Sequence, residues 1–349
     1  MSDKTVDLRS DTITLPTEEM QEAMARAPLG DDVYGEDPTV NRLQELAADK
    51  MGKEAALYVP SGTMGNTCAL LAHANWGDEA LFEEQAHMYY WEAGTYANIA
   101  GLAARAVKGE HGVVTPEQIH ASVRADNPHF APLKVVCIEN SHNNYAGHAW
   151  SVPEMAAVGE ACREHGLKLH MDGARIFNAA VAMGVAASDY AQHVDSVMFC
   201  VSKGLSAPLG SLVCGDRAFI DEVYRMRKRL GGAMRQAGVV AAAGIVALEQ
   251  MVERLADDHA VAQALADGLG SIDGVEVLFP PRPTNILKVD FAALGWSAAD
   301  VVGRWKERGV LCNPRPPHGA RLVANRHVGV EDMVLICGGA RKGNLEGGE

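Results

Sequence analysis

Short apolar runs rich in Val, Ile, Leu and Phe recur along the chain between longer stretches whose apolar positions follow a helical period. Runs at 56–59, 79–82, 134–139, 168–171, 196–201 and 211–214 have the length and β-branched content of buried strands. Between them, segments 65–74, 117–123, 153–165 and 177–183 read as helices. Strands alternating with helices of this length predict an α/β fold: a mostly parallel central sheet with helices on both faces. From 219 to about 269 the pattern is helical, with only short glycine interruptions. Strand candidates follow at 275–279 and 285–289, then a helix at 298–308 and strands near 310–312 and 321–323. This part predicts a smaller C-terminal α+β domain hung on a long helix. The expected division is a large domain over 1–250 and a small one over 251–349, with segment 1–16 able to join the small domain.

Composition narrows the function. A chain of 349 residues has room for about two domains and a sizeable core. Its formal charge of −14 argues against nucleic acid or an anionic membrane surface as partner. The seven cysteines are an odd number, scattered, without a CxxC pair, and mostly in apolar runs. They read as reduced thiols of a cytoplasmic protein rather than a disulfide framework. The N-terminal stretch MSDKTVDLRSDT has no apolar signal region, and the longest apolar stretch, near 238–248, is too short to span a bilayer. No HExxH or comparable ligand cluster occurs, so no metal is expected.

In open α/β sheets ligands bind beyond the carboxyl ends of the strands, so chemistry is sought there. The strand ALYV runs into PSGTMGN (60–66), where Ser61 can cap a helix and Gly62 and Thr63 can offer backbone N–H groups to a phosphate. The same residues also suit an ordinary capped turn. The strand LKLHM ends in Asp172-Gly173-Ala174-Arg175, whose two charges could simply pair with each other. The strand SVMFCV ends in Ser202-Lys203-Gly204. Burial there would favour a neutral amine, as a Schiff-base lysine requires, although long lysines also snorkel for structural reasons. Segment 83–92, EEQAHMYYWE, contributes His87 followed by aromatics. Together, a phosphate turn, a flat side chain for stacking, a carboxylate and a lysine match the needs of pyridoxal 5′-phosphate (PLP).

The sequence resembles the L-threonine aldolases, PLP enzymes of fold type I, over nearly its full length. The resemblance is carried by DLRSDT (7–12), DDVYGEDPTVNRLQELAA (31–48), PSGTMGN (60–66), AHMYYWEAG (86–94), IEN (138–140), MDGARIFNA (171–179), SKGLSAPLGS (202–211) and LGGAMRQAG (230–238). It implies that Lys203 carries the cofactor, that Asp172 contacts the pyridine nitrogen, and that His87 stacks on the ring. Ser61, Gly62 and Thr63 would hold the phosphate, with Arg235 reaching a phosphate across a subunit interface. Arg175, Arg321 and Ser10 would receive the substrate α-carboxylate. His87 and His129 are the candidate bases for the β-hydroxyl proton, with a water relay as a further possibility. The implied reaction is retro-aldol cleavage of L-β-hydroxy-α-amino acids to glycine and an aldehyde. The implied assembly is a homo-oligomer, a dimer of dimers, with active sites at subunit interfaces.

Some positions depart from the family pattern. Ser141–His148 replaces a glycine-rich turn, Trp91 stands where Tyr or Phe is usual, and RLVANRHV replaces RLVTHLDV. These changes fall near the β-substituent, so a larger substrate such as phenylserine is expected beside threonine and allo-threonine. The competing readings are another fold type I reaction on an amino acid, such as β-elimination or transamination, and a PLP-carrying protein without turnover.

Overall fold

A computed structural model of the chain describes residues 5–341. The outermost ends of the two expected domains, 1–4 and 342–349, lie outside the described residues. The central sheet comprises seven strands: β1 (Ala55–Val59), β2 (Glu79–Glu83), β3 (Ala103–Val107), β4 (Leu133–Glu139), β5 (Lys168–Asp172), β6 (Ser196–Cys200) and β7 (Ser211–Gly215). Their spatial order is β1-β7-β6-β5-β4-β2-β3. Strand β7 runs antiparallel to both neighbours, and the other pairs are parallel. The sequence pattern predicts every strand but β3. That strand lies at the sheet edge, and its Ala-rich sequence AARAV has no fully buried position to generate an alternation.

Side-chain alternation sorts the sheet into two faces. Ala56, Tyr58, Leu169, Met171, Val197, Phe199, Leu212 and Cys214 enter one core with helices Pro38–Met51 and Gly238–Gln250. Leu57, Val59, Met198, Cys200 and Val213 enter another with helices Gly62–His73 and Arg217–Arg229. The predicted helices on both faces are therefore present. Segment 219–269 forms three helices, Arg217–Arg229, Gly238–Gln250 and Leu255–Gly270, rather than one long one. The first break falls at Gly231, whose φ of +78° ends the helical path.

A second sheet, antiparallel and ordered β10-β11-β9-β8, contains β8 (Glu276–Leu278), β9 (Ile286–Asp290), β10 (Asn313–Arg315) and β11 (Gly319–Val323). The segment Val6–Asp7 pairs in parallel with Val310–Leu311, and Val6 and Leu8 are buried with Leu265, Val289, Trp305 and Leu322 in a separate apolar core. No helix among the described residues is long and apolar enough to cross a membrane.

Trp150 is fully buried in the main core, its backbone N–H donating to Asn140 Oδ1 and its carbonyl accepting from the Tyr190 hydroxyl. Trp150→Ala is expected to cost about 3–5 kcal/mol through lost burial and the cavity left behind. Trp76→Ala, at a side chain 88% exposed, is expected to cost less than about 0.5 kcal/mol. Urea denaturation of both variants checks the contrast.

Candidate active site

The carboxyl ends of β1, β2, β4, β5 and β6 open on two connected cavities. The smaller, about 340 Å³, is lined by Ser61, Gly62, Thr63, His87, Glu92, Asp172, Ser202 and Lys203. The larger, about 910 Å³, is lined by Ser10, His87, Trp91, Asn143, Arg175, Lys203, Lys288, Arg315 and Arg321. Thr12, His87 and Lys203 belong to both walls. Ten of the residues singled out from the sequence thus face one continuous space: Ser10, Ser61, Gly62, Thr63, His87, Trp91, Asp172, Arg175, Lys203 and Arg321.

Each arrives there for a local reason. Ser61 caps helix Gly62–His73, its Oγ accepting the Met64 N–H, so the N–H groups of Gly62 and Thr63 at the first turn have no partner within the helix. A Cβ on Gly62 would lie 3.0 Å from Cys200 Sγ and 3.1 Å from Met198 Cε, a tight fit that glycine avoids between the helix start and the end of β6. Asp172, at the end of β5, is buried. Its Oδ1 accepts the Ala174 N–H at 3.0 Å and its Oδ2 accepts the Asn66 amide at 2.9 Å. Lys203 follows β6 and is half-buried, more open than the apolar strand before it suggests. Its carbonyl accepts the Thr14 hydroxyl at 2.7 Å, tying the lysine turn to the N-terminal segment.

His87 begins a short helix after β2. Its Nδ1 lies 2.9 Å from Glu92 Oε1 and 4.0 Å from Asp172 Oδ2, and its backbone N–H donates to Glu139 Oε2 at 2.7 Å. Burial works to lower the imidazole's pKa, but the hydrogen bond to Glu92 and the charges of Asp172, Glu139 and Glu92 prevail and raise it. Asn66 donates to both Glu92 and Asp172, and its carbonyl oxygen meets His170 Nε2 at 3.1 Å. His170 Nδ1 meets Ser196 Oγ, which in turn meets His73 Nε2. Burial lowers His170 to about 4 and His73 to about 3, so this row of side chains is uncharged at neutral pH.

On the opposite wall Arg175 grips Asp11 through two bonds of 2.7 Å, Nε to Oδ2 and Nη2 to Oδ1. The pairing of Arg175 with Asp172 that their spacing allows does not occur. Burial opposes the guanidinium charge, yet Asp11 holds its pKa above the ordinary value, and the arginine in turn holds the buried Asp11 carboxyl well below the usual carboxylate range. Asn143 Oδ1 accepts from Arg321 Nη2 at 2.6 Å and from Arg175 Nη1 at 3.4 Å, and the Asn143 N–H donates to Glu139 Oε1. Asp11, Asn66, Glu92, Glu139 and Asn143 were not singled out from the sequence. Four of them lie inside the quoted motifs DLRSDT, PSGTMGN, AHMYYWEAG and IEN, which marks the segments without revealing which side chain bridges which.

Two of the sequence candidates do not join the cavity within this chain. His129 sits on an exposed loop, its N–H donating to Asn127 Oδ1. Arg235 is exposed and pairs with Asp31 at 3.2 Å.

The sequence profile of the beta-eliminating lyases matches residues 7–292. The chain is 42% identical over 340 residues to the low specificity L-threonine aldolase of Escherichia coli strain K12, covering 95% of this chain and 97% of that one. It is 40% identical over 341 residues to low-specificity L-threonine aldolase 1 of Arabidopsis thaliana, covering 96% and 95%. The structure of the Leishmania major threonine aldolase superposes with a TM-score of 0.82 over 96% of this chain and 98% of that one, at 17% identity, a likeness of fold. With the fold, the strand-end arrangement and these relatives in agreement, the chain belongs to the beta-eliminating lyase family, among its threonine aldolases.

Proposed function

We propose that this chain is a PLP-dependent carbon–carbon lyase that cleaves L-β-hydroxy-α-amino acids, threonine and allo-threonine among them, to glycine and an aldehyde. The observation that carries the reading is the convergence of Lys203, Asp172 and His87 on one cavity, beside a helix N-terminus and opposite two arginines. The relatives named above act on threonine by their names, which supports the same substrate here.

The residues present fit PLP. The glycine at position 62 keeps the helix start free of side-chain bulk, and its N–H and that of Thr63, with Ser61, suit a phosphate. Asp172 presents a buried carboxylate to the cavity, suited to a pyridinium nitrogen, and Lys203 presents a primary amine. Bound PLP supplies a carbonyl carbon that condenses with amines and a ring that accepts the electron pair released from the Cα–Cβ bond. Lys203 would anchor the cofactor through its amine, Asp172 would hold a proton at the ring nitrogen, and His87 would flank the ring. With Nδ1 committed to Glu92, its other nitrogen takes the β-hydroxyl proton. Arg175, Arg321 and Ser10 receive the α-carboxylate, for which a planar guanidinium is well shaped. Trp91, 56% exposed, stands at the rim beside the β-substituent and leaves room for phenylserine.

The same reading includes a homo-oligomer in which Arg235, outside this chain's own cavity, serves a neighbouring subunit. The exposed Tyr90, Trp91 and Leu209 near the cavity mouth support a covered surface there. His129 enters a site only by the same route. The separate apolar cores support a division into two domains near residue 250, and the free, mostly buried cysteines support a cytoplasmic location.

Lys203→Ala is expected to abolish the visible absorbance of the cofactor-bound enzyme near neutral pH and to lower kcat for threonine by more than about 1,000-fold. An unchanged band, or acetaldehyde released at the original rate, overturns the assignment. A second outcome concerns pH. With His87 raised above the ordinary histidine value of about 6.5, the acid limb of kcat/KM lies above that value. Glu92→Gln removes an anion that favours the protonated ring, so its acid limb moves to lower pH; a limb that stays in place removes His87 from the role of base.

A further inference from the structure

We propose that the larger cavity contains a second anion site, formed by Lys288 and Arg315, and that the preferred substrates carry a carboxylate or phosphate at the end of the β-substituent. The inference rests on the aldol-cleavage reading and refines its substrate class.

The antiparallel register places the groups. Lys288 on β9 stands directly opposite Arg321 on β11, and Arg321 stands opposite Asn313 on β10. Opposed residues point to the same face of a sheet, and Arg315, two positions after Asn313, shares that face. Lys288, Arg315 and Arg321 all line the cavity that holds Lys203 and His87. Three cations are thus gathered on one wall of a protein whose formal charge is −14.

No carboxylate pairs directly with Lys288 or Arg315 among the described residues, while Asp11 and Glu139 act on Arg321 only through their charge. Among the described residues none of the three forms an ion pair, whereas Arg175 on the facing wall pairs with Asp11 through two of its nitrogens. The ammonium of Lys288 donates to the carbonyl of Asn144, a neutral acceptor. Arg321 meets the amide of Asn143, and its buried Nε has no partner. Burial, then the charges of Arg315 and Arg321, bring Lys288 down to about 8. Cations held this close without an ion pair of their own repel one another, and partial burial strengthens the repulsion. Arg175 and Arg321 already suffice for the α-carboxylate. Lys288 and Arg315 remain, and a second anion supplies their counter-charge.

Spacing fits this division. Side chains opposed across an antiparallel pair start about 5 Å apart at Cβ, so an anion at Lys288 lies a few ångströms from a carboxylate at Arg321. That separation matches a charged group a short way beyond Cβ of an amino acid. The reaction balances without an added oxidant or reductant. The Cα–Cβ bond breaks, the β-hydroxyl proton passes to His87, Cα gains a proton to become glycine, and Cβ leaves as an aldehyde that keeps the anion.

The test compares threonine, β-hydroxyaspartate and 4-phosphohydroxythreonine as substrates of the cofactor-loaded enzyme, with glycine release as readout. The expected result is a kcat/KM for one of the two anionic substrates at least about tenfold above that for threonine. The anion-to-threonine ratio should fall about tenfold or more in Lys288→Met and in Arg315→Gln and persist in Lys288→Arg. Which anionic substrate leads distinguishes carboxylate from phosphate. Calorimetric titration with aspartate against alanine gives a readout without turnover: the unaltered enzyme should prefer aspartate, and Lys288→Met should lose the preference. If threonine is cleaved but neither anionic substrate is favoured, or the ratio survives loss of either charge, the second anion site is wrong and the aldolase reading stands. If no β-hydroxy amino acid yields glycine, the aldolase reading itself falls.

Discussion

The buried pair of Asp11 and Arg175 is the contact on which the site depends. It joins the N-terminal segment to the loop after β5, across 164 residues of sequence. Asn285, at the start of the small-sheet strand β9, adds a third attachment by donating its amide to Asp11 Oδ2 at 3.2 Å. Two charges taken out of water this completely are held only if their hydrogen bonds are well made, and the two-pronged geometry provides that. The consequence for Arg175 is a fixed orientation, with two of its nitrogens committed to Asp11 and the remaining edge turned to Asn143 and the cavity. Breaking the pair would leave a lone buried charge and release three segments at once.

The opposite wall is ordered differently. Asn66 spans Glu92 and Asp172, and behind it His170, Ser196 and His73 form a neutral row through the helix-covered face of the sheet. One wall therefore uses a charged clasp and the other an uncharged scaffold. Glu139 links the two, since one of its oxygens accepts the N–H of His87 and the other that of Asn143. A single carboxylate at the end of β4 sets the spacing between the histidine and the arginine pair.

Most of the large sheet and the main chemistry were legible in the sequence. A lysine and an aspartate directly after apolar strands stand out, because strand alternation locates the strand end within a residue or two. The edge strand β3 was not legible, since a strand that buries nothing leaves no pattern. The bridging roles of Asn66, Glu139 and Asn143 were hidden because each depends on contacts between segments far apart in sequence. The same holds for Lys288 and Arg315: each is an unremarked cation on a short strand until the antiparallel register sets it beside Arg321. Arg235 and His129 show the complementary limit, because the resemblance assigns them to a site whose cavity in this chain they do not line.

The parallel pairing of Val6–Asp7 with Val310–Leu311 has a consequence for biosynthesis. A chain emerging N-terminus first exposes Val6 and Leu8 long before their partners are made, and the strand must wait through most of translation. The large sheet can form during that interval, since its strands are complete by Gly215. Asp11 cannot be set in its final place until the last strands have left the ribosome. A truncated or stalled product would therefore hold a folded sheet with an unassembled catalytic wall, so translation completes before catalytic competence begins.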